Sequence, residues 1–176
     1  MAAIVEDSRQ QDGKHGHIGK WMEAHGVEFM PRASALPFGD YMRDGSNVSV
    51  DTKKDVQEVA GNVGKDHARF IRECERARVA GYRLVILVEE HPEYNDRTNL
   101  YGWRSKVCLM CRKCNPSKAA RCMRSGKPRP KPMSGQTLAK IIQKIETEYD
   151  VRFEFCNRRD TARRICELLG VNYERN

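Results

Sequence analysis

Long apolar runs are missing from this chain of 176 residues. The clearest run, Leu84-Val85-Ile86-Leu87-Val88, falls far short of the ~20 residues that a membrane helix needs, which excludes a helical membrane protein. The opening Met1-Ala2-Ala3-Ile4-Val5-Glu6-Asp7 is too short and too acidic for a signal peptide, so a cytoplasmic location, in a bacterial host cell, is expected. No internal repeat is present, which excludes solenoids. Acidic residues are lacking from one long segment: Arg104 to Lys131 holds ten Lys/Arg and no Asp/Glu. Ten positive charges against a net +8 leave the rest of the chain near −2. A basic segment on a nearly neutral body reads as a surface for phosphates, with a solvated basic loop as the plain alternative. The length suits one domain, residues 1–176, with 104–131 as a segment within it.

What is present is an alternation of strand and helix patterns. Residues 2–6 read as a short apolar strand that ends at Asp7-Ser8-Arg9-Gln10. Ile18, Trp21 and Met22 follow at helical spacing, and Gly26 supplies a stop. Val27 to Met30 is a second strand candidate, and a helix with the stripe Phe70, Ile71, Cys74 and Ala77 covers about 65–80. The outer face of that helix, including Glu73, reads as solvated charge. The run after Tyr82 is apolar almost throughout, as in a central strand buried on both faces. Ser134 then caps a helix through Leu138, Ile142 and Ile145, Val151 to Cys156 alternates as a strand, and a last helix through Ile165 and Leu169 stops at Gly170. Such a series predicts an α/β fold with a mixed central sheet.

The stretch that carries chemistry is Leu36 to Glu58. Asp44-Gly45 is a turn signal between two short strand-like runs. A loop over residues 44–47 places Arg43 opposite Val48 and Asp40 opposite Asp51. Strand side chains alternate, so Asp51 and Lys53 point the same way. Two carboxylates and a lysine then converge on one patch of sheet. Mg²⁺ prefers carboxylate oxygens and keeps several waters. Bound there, it would activate a water and stabilise charge on a phosphate, with the lysine orienting that water or offsetting the charge.

Taken together, Asp7-Ser8-Arg9-Gln10, Leu36-Pro37-Phe38-Gly39-Asp40-Tyr41, Asp51-Thr52-Lys53 and Leu84 to Glu89 resemble the nuclease domain of the XPF-type structure-specific endonucleases, of the PD-(D/E)xK superfamily, in its compact phage or prophage form. The resemblance covers about 150 residues and skips 92–132. It implies a restriction-endonuclease-like fold, in which 104–131 is a cysteine-rich basic insertion. It implies hydrolysis of DNA phosphodiesters with Mg²⁺ or Mn²⁺, on branched, flapped or single-strand-containing DNA as in repair and recombination. On that reading Asp40 and Asp51 are metal ligands and Lys53 the catalytic lysine, with Lys54 (and Glu58 as the downstream acid) as the alternative register. Asp7 is a further metal ligand or the cap of a strand end, and Arg9 a phosphate contact or a surface ion-pair partner. Glu89 sits at the site edge or pairs with a basic residue. Three residues depart from the pattern: Gln10 stands for Glu, Asp51 for Glu and Thr52 for Arg. The tandem helix-hairpin-helix module of cellular relatives is not expected after Asn176.

Seven cysteines in an intracellular protein argue for thiols or metal ligands over disulfides. Cys74, Cys156 and Cys166 fall in apolar patterns and read as core residues. Cys108-x2-Cys111-x2-Cys114-x7-Cys122 has the spacing of a structural Zn²⁺ site. An iron–sulfur cluster is the lesser alternative, and free thiols the plain one. Arg112, Lys113, Lys118, Arg121 and Arg124 around it are candidate DNA contacts, and Tyr101 and Trp103 either stack on an unpaired base or pack against the core. Two rival classes remain: a non-catalytic DNA-binding protein, and an interaction module that works as a homodimer or with a partner protein.

Overall fold

The computed structural model describes residues 3–10, 15–91, 93–94, 96–106, 126 and 132–174. A six-stranded mixed sheet runs through its centre, with β1 (Ile4–Asp7), β2 (Phe29–Ser34), β3 (Tyr41–Arg43), β4 (Val48–Lys53), β5 (Arg83–Glu89) and β6 (Arg152–Cys156) in the spatial order β2-β1-β3-β4-β5-β6. Strand β3 is antiparallel to both β1 and β4, while the pairs β1/β2, β4/β5 and β5/β6 are parallel. This is the α/β architecture with a mixed central sheet that the sequence pattern predicts, in the restriction-endonuclease-like form that the resemblance implies.

Helices cover both faces, which is why β5 is apolar throughout. Leu84, Ile86 and Val88 join Phe38, Val56, Phe70, Leu138 and Phe153 under α2 (Val56–Val63), α3 (His67–Val79) and α4 (Gly135–Tyr149). Val85 and Leu87 point the other way, into a second cluster with Ile18, Met22, Ile165 and Leu169 from α1 (Gly16–Ala24) and α5 (Thr161–Leu169). Burying five such side chains contributes on the order of 10 kcal/mol before entropy is counted. Cys74, Cys156 and Cys166 are buried free thiols, as expected.

Local boundaries follow local chemistry. The Ser134 hydroxyl accepts the Thr137 amide at 3.2 Å and starts α4. Asp55 caps α2 through the Glu58 amide at 2.7 Å. Gly170 ends α5 in the left-handed conformation. The second strand lies later than expected, at Phe29–Ser34 rather than Val27–Met30. Val27 is instead buried beneath α1, and the edge position tolerates Pro31 because its missing N–H faces no neighbour.

The ends of the basic segment meet. Arg104 bridges Ser134, the Ser105 amide donates to the Met133 carbonyl at 2.9 Å, and the Gly135 amide donates to the Trp103 carbonyl at 2.7 Å. The Gln57 side chain accepts from the Lys106 amide at 2.8 Å, tying this stem to α2. Trp103 is buried in the core and Tyr101 is exposed, which separates two residues that the sequence left together. Cys108, Cys111, Cys114, Cys122, Arg112, Lys113, Lys118, Arg121 and Arg124 lie outside the described residues.

Candidate active site

The site is built on the turn before β3. Gly39 has φ +63°, and a Cβ there would lie 2.4 Å from the Ser49 hydroxyl and 2.9 Å from the Val50 carbonyl. Only glycine both adopts this conformation readily and leaves that space, so the chain passes tightly under β4 and aims Asp40 at it. The Asp40 amide then donates to the Val50 carbonyl at 2.8 Å. Replacing Gly39 by Ala is expected to cost about 2–4 kcal/mol, from the left-handed strain and the overlap together. Chemical denaturation of the variant checks this.

The hairpin register is the expected one. Tyr41 pairs with Val50 and Met42 with Ser49, so Arg43 continues opposite Val48 and Asp40 opposite Asp51. The Asp40 carboxylate accepts the Thr52 amide at 2.8 Å and the Thr52 hydroxyl at 2.5 Å, and its other oxygen accepts the Gln10 side-chain amide. Asp51 is buried, and Lys53 reaches both of its oxygens at 2.6 Å. Burial pushes the Asp51 carboxyl up to about 6, and the negative charge of Asp40 adds to that rise while Lys53 opposes it. Burial alone would depress the Lys53 ammonium. Asp51 and Asp40 outweigh it and hold its pKa above the ordinary lysine range.

Two further acids bear on the pair. Glu58 contributes charge to both Asp51 and Lys53, while its own carboxylate accepts the Lys54 amide at 3.0 Å. Glu73, on α3, is half-buried rather than solvated as its sequence context suggests. Burial and the charge of Asp51 raise its pKa. Its place beside Phe70 and Cys74, on the flank of the helix's apolar stripe, is the signal that would have found it. Lys54 is exposed, so of the two candidate lysines Lys53 is the one that joins the acids.

Asp7 and Arg9 are drawn into a clip. The Asp7 carboxylate accepts the Arg9 amide at 2.7 Å, the Arg9 guanidinium, and the Leu36 amide at 3.1 Å. Arg9 also donates to the Leu36 carbonyl at 2.8 Å. Burial works against this carboxylate, but those donors hold its pKa below the ordinary range. Because the folded value is depressed, the stabilisation is complete above about pH 4 and is lost as acid titrates the folded group. Asp7→Ala is expected to cost about 1–3 kcal/mol at pH 7, a penalty that denaturation series should show shrinking below pH 4. Glu89 is buried on the opposite face of β5 from Asp51, where His17 lies at 3.6 Å and Arg158 at 3.8 Å, so it pairs with basic residues.

The fold is similar to that of "XPF from Aeropyrum pernix". The match has a TM-score of 0.57 at 16% identity, covering 95% of this chain and 63% of that one. The chain therefore spans somewhat under two thirds of the length of XPF. At this identity the likeness bears on the fold. No protein-family model matches the sequence, and no curated protein does.

Hard carboxylate oxygens suit a hard cation. Among the described residues no three acidic, His or Cys side chains are grouped to enclose a metal by themselves. Two carboxylates suffice for Mg²⁺, which is ordinarily held by one or two of them together with waters and substrate phosphate. Asp40 and Asp51, whose mutual repulsion a cation would relieve, fit that description. Among the described residues no helix is long and apolar enough to cross a membrane.

Proposed function

We propose that the chain is a metal-dependent DNA endonuclease that hydrolyses phosphodiester bonds at branched, flapped or single-strand-containing sites. The observation that carries this reading is the register-paired Asp40 and Asp51 with Lys53 bound to Asp51 at 2.6 Å. Asp40 and Asp51 would hold Mg²⁺ or Mn²⁺, and the metal would supply an activated water and charge stabilisation at the phosphate. Thr52 orients one Asp40 oxygen. Lys53, held against Asp51, would offset phosphate charge or orient the attacking water. The Lys106 amide, at the start of the basic segment, is held by Gln57 in the first turn of α2, the helix that follows Lys53 directly, which supports a role for that segment in binding phosphate.

The deciding experiment incubates the protein with labelled branched, flapped and single-stranded DNA, with and without Mg²⁺. Metal-dependent cutting supports the reading, and affinity for DNA should fall steeply with salt. One observation favours the rival, a non-catalytic DNA-binding protein: the Gln10 amide occupies an Asp40 oxygen where the resembled family carries an acid. Salt-sensitive binding without any cutting would favour that rival.

The four clustered cysteines belong to this proposal as a structural Zn²⁺ site. Elemental analysis is expected to find about one zinc per chain, with no visible absorption. A brown protein would replace zinc by an iron–sulfur cluster.

A further inference from the structure

Helix α3 lies on the same face of the sheet as the acidic centre. Asp51 pairs with Ile86 in the parallel β4/β5 register, and Ile86 packs in one cluster with Phe70, Cys74 and Ala77 of α3. The flank of α3 nearest the carboxylates carries Arg69, Glu73 and Arg76, spaced as one helical face requires. Glu73 is half-buried and close enough to Asp51 and Lys53 to feel the charge of both. Arg69 and Arg76 are exposed on either side of it, one turn before and one turn after.

These two arginines are not spent as others in the chain are. Arg163 of α5 reaches Asp160 at 3.2 Å and Glu167 at 2.8 Å, and Arg164 reaches Glu154 at 3.2 Å. Among the described residues neither Arg69 nor Arg76 makes such an ion pair, although Glu73 is a helical neighbour of both. Arg76 is held instead by an aromatic ring: its guanidinium lies 5.6 Å from the centroid of Phe38, within cation–π range. Phe38 stands two residues before Asp40. Arg9, whose side chain is 67% exposed, reaches the same segment through the Leu36 carbonyl at 2.8 Å and lies in the fields of Glu73 and Asp40. Three solvent-facing guanidiniums therefore border the carboxylates.

We propose that Arg69 and Arg76, with Arg9 beside them, form a track for the backbone of one DNA strand and grip phosphates that flank the scissile one. The proposal rests on the endonuclease reading and adds the path of the strand, along this flank of α3. Guanidinium suits the partner, because its planar fork donates two parallel hydrogen bonds to phosphate oxygens and keeps its charge at any working pH. Seven residues of helix rise about 10 Å, the axial advance of about three nucleotides. Arg69 and Arg76 therefore address phosphates about that far apart on one strand. Such contacts carry no base preference, so the track fixes where a junction lies against the acids and not its sequence.

The test uses the full chain and flapped duplexes, with Ca²⁺ replacing Mg²⁺ to hold the DNA uncut. A neutral methylphosphonate replaces one phosphate at a time on each strand around the junction. Wild-type affinity should fall about 10-fold at two positions, about three nucleotides apart on one strand. The double variant Arg69→Gln/Arg76→Gln keeps good helix formers on α3. It should bind about 10-fold or more weakly, with a slope of log affinity against log salt smaller by about 2. At the two sensitive positions it should no longer respond to methylphosphonate. Arg78→Gln/Arg83→Gln removes the same charge from the far flank of α3 and the start of β5, and should keep the wild-type profile. A wild-type scan with no sensitive phosphate, a wild-type profile in the Arg69/Arg76 variant, or an equal loss in the Arg78/Arg83 variant overturns the track alone. Failure of the wild type to bind any of these DNAs overturns the endonuclease reading, and this proposal with it.

Discussion

Asp51→Asn and Asp40→Asn are each expected to lower Mg²⁺-dependent DNA cleavage by at least ~10³-fold, about 4 kcal/mol of transition-state stabilisation. Both changes conserve shape while removing an anionic oxygen. Asp51 is the more demanding of the two because it is buried with Lys53 at 2.6 Å, so its loss strips the centre of its deepest charge. Asp40 keeps its Thr52 contacts only through the oxygen that Asn retains. Single-turnover cleavage of a flapped substrate measures the effect. A second readout does not depend on activity. A cation that binds only the folded protein at about 100 times its dissociation constant adds ~2.7 kcal/mol of stability, or roughly 5–10 °C in melting temperature for a chain of this size. Mn²⁺ should therefore raise the melting temperature of the wild type and leave that of Asp51→Asn nearly unmoved. An Asp51→Asn protein that cuts DNA at the wild-type rate would falsify the assignment of this centre.

Much of the centre was legible because short-range rules decide it. A two-strand hairpin closed by Asp44-Gly45 has few registers, and strand alternation then places Asp51 and Lys53 on one face without knowledge of the rest. The run from Leu84 announces its own burial, since only a strand covered on both sides tolerates that composition. Long-range placement decided what was not legible. Glu73 reads as one of six charges on an outer helix face, and only the packing of α3 turns it toward Asp51. Gln10 reads as a lost acid. Folding brings its amide onto an Asp40 oxygen thirty residues away, where it occupies a carboxylate. The second strand was misplaced because edge strands carry little apolar signal: of Phe29 to Ser34, every residue but Phe29 is exposed.

Lys53→Ala is expected to reduce the single-turnover rate about 10²–10³-fold, and Lys54→Ala less than about 3-fold. Sequence spacing alone leaves the two lysines in competition, one residue apart. Geometry separates them by face and by depth. Lys53 continues the alternation of β4 from Asp51, its side chain is 13% exposed, and its ammonium spans both Asp51 oxygens. Lys54 lies past the end of β4, exposed, and its backbone amide caps onto Glu58 at the start of α2. Removing Lys53 also leaves Asp51 buried without its cation, so some loss of stability accompanies the loss of rate. Lys53→Arg distinguishes the two effects. It restores the positive charge, yet its rigid planar fork does not reproduce the compact ammonium that orients a water or phosphate oxygen at short range. Recovery of thermal stability without recovery of the rate is therefore the expected pattern. Full activity in Lys53→Ala together with collapse in Lys54→Ala would move the catalytic register one residue along and make Glu58, whose carboxylate accepts the Lys54 amide, the downstream acid.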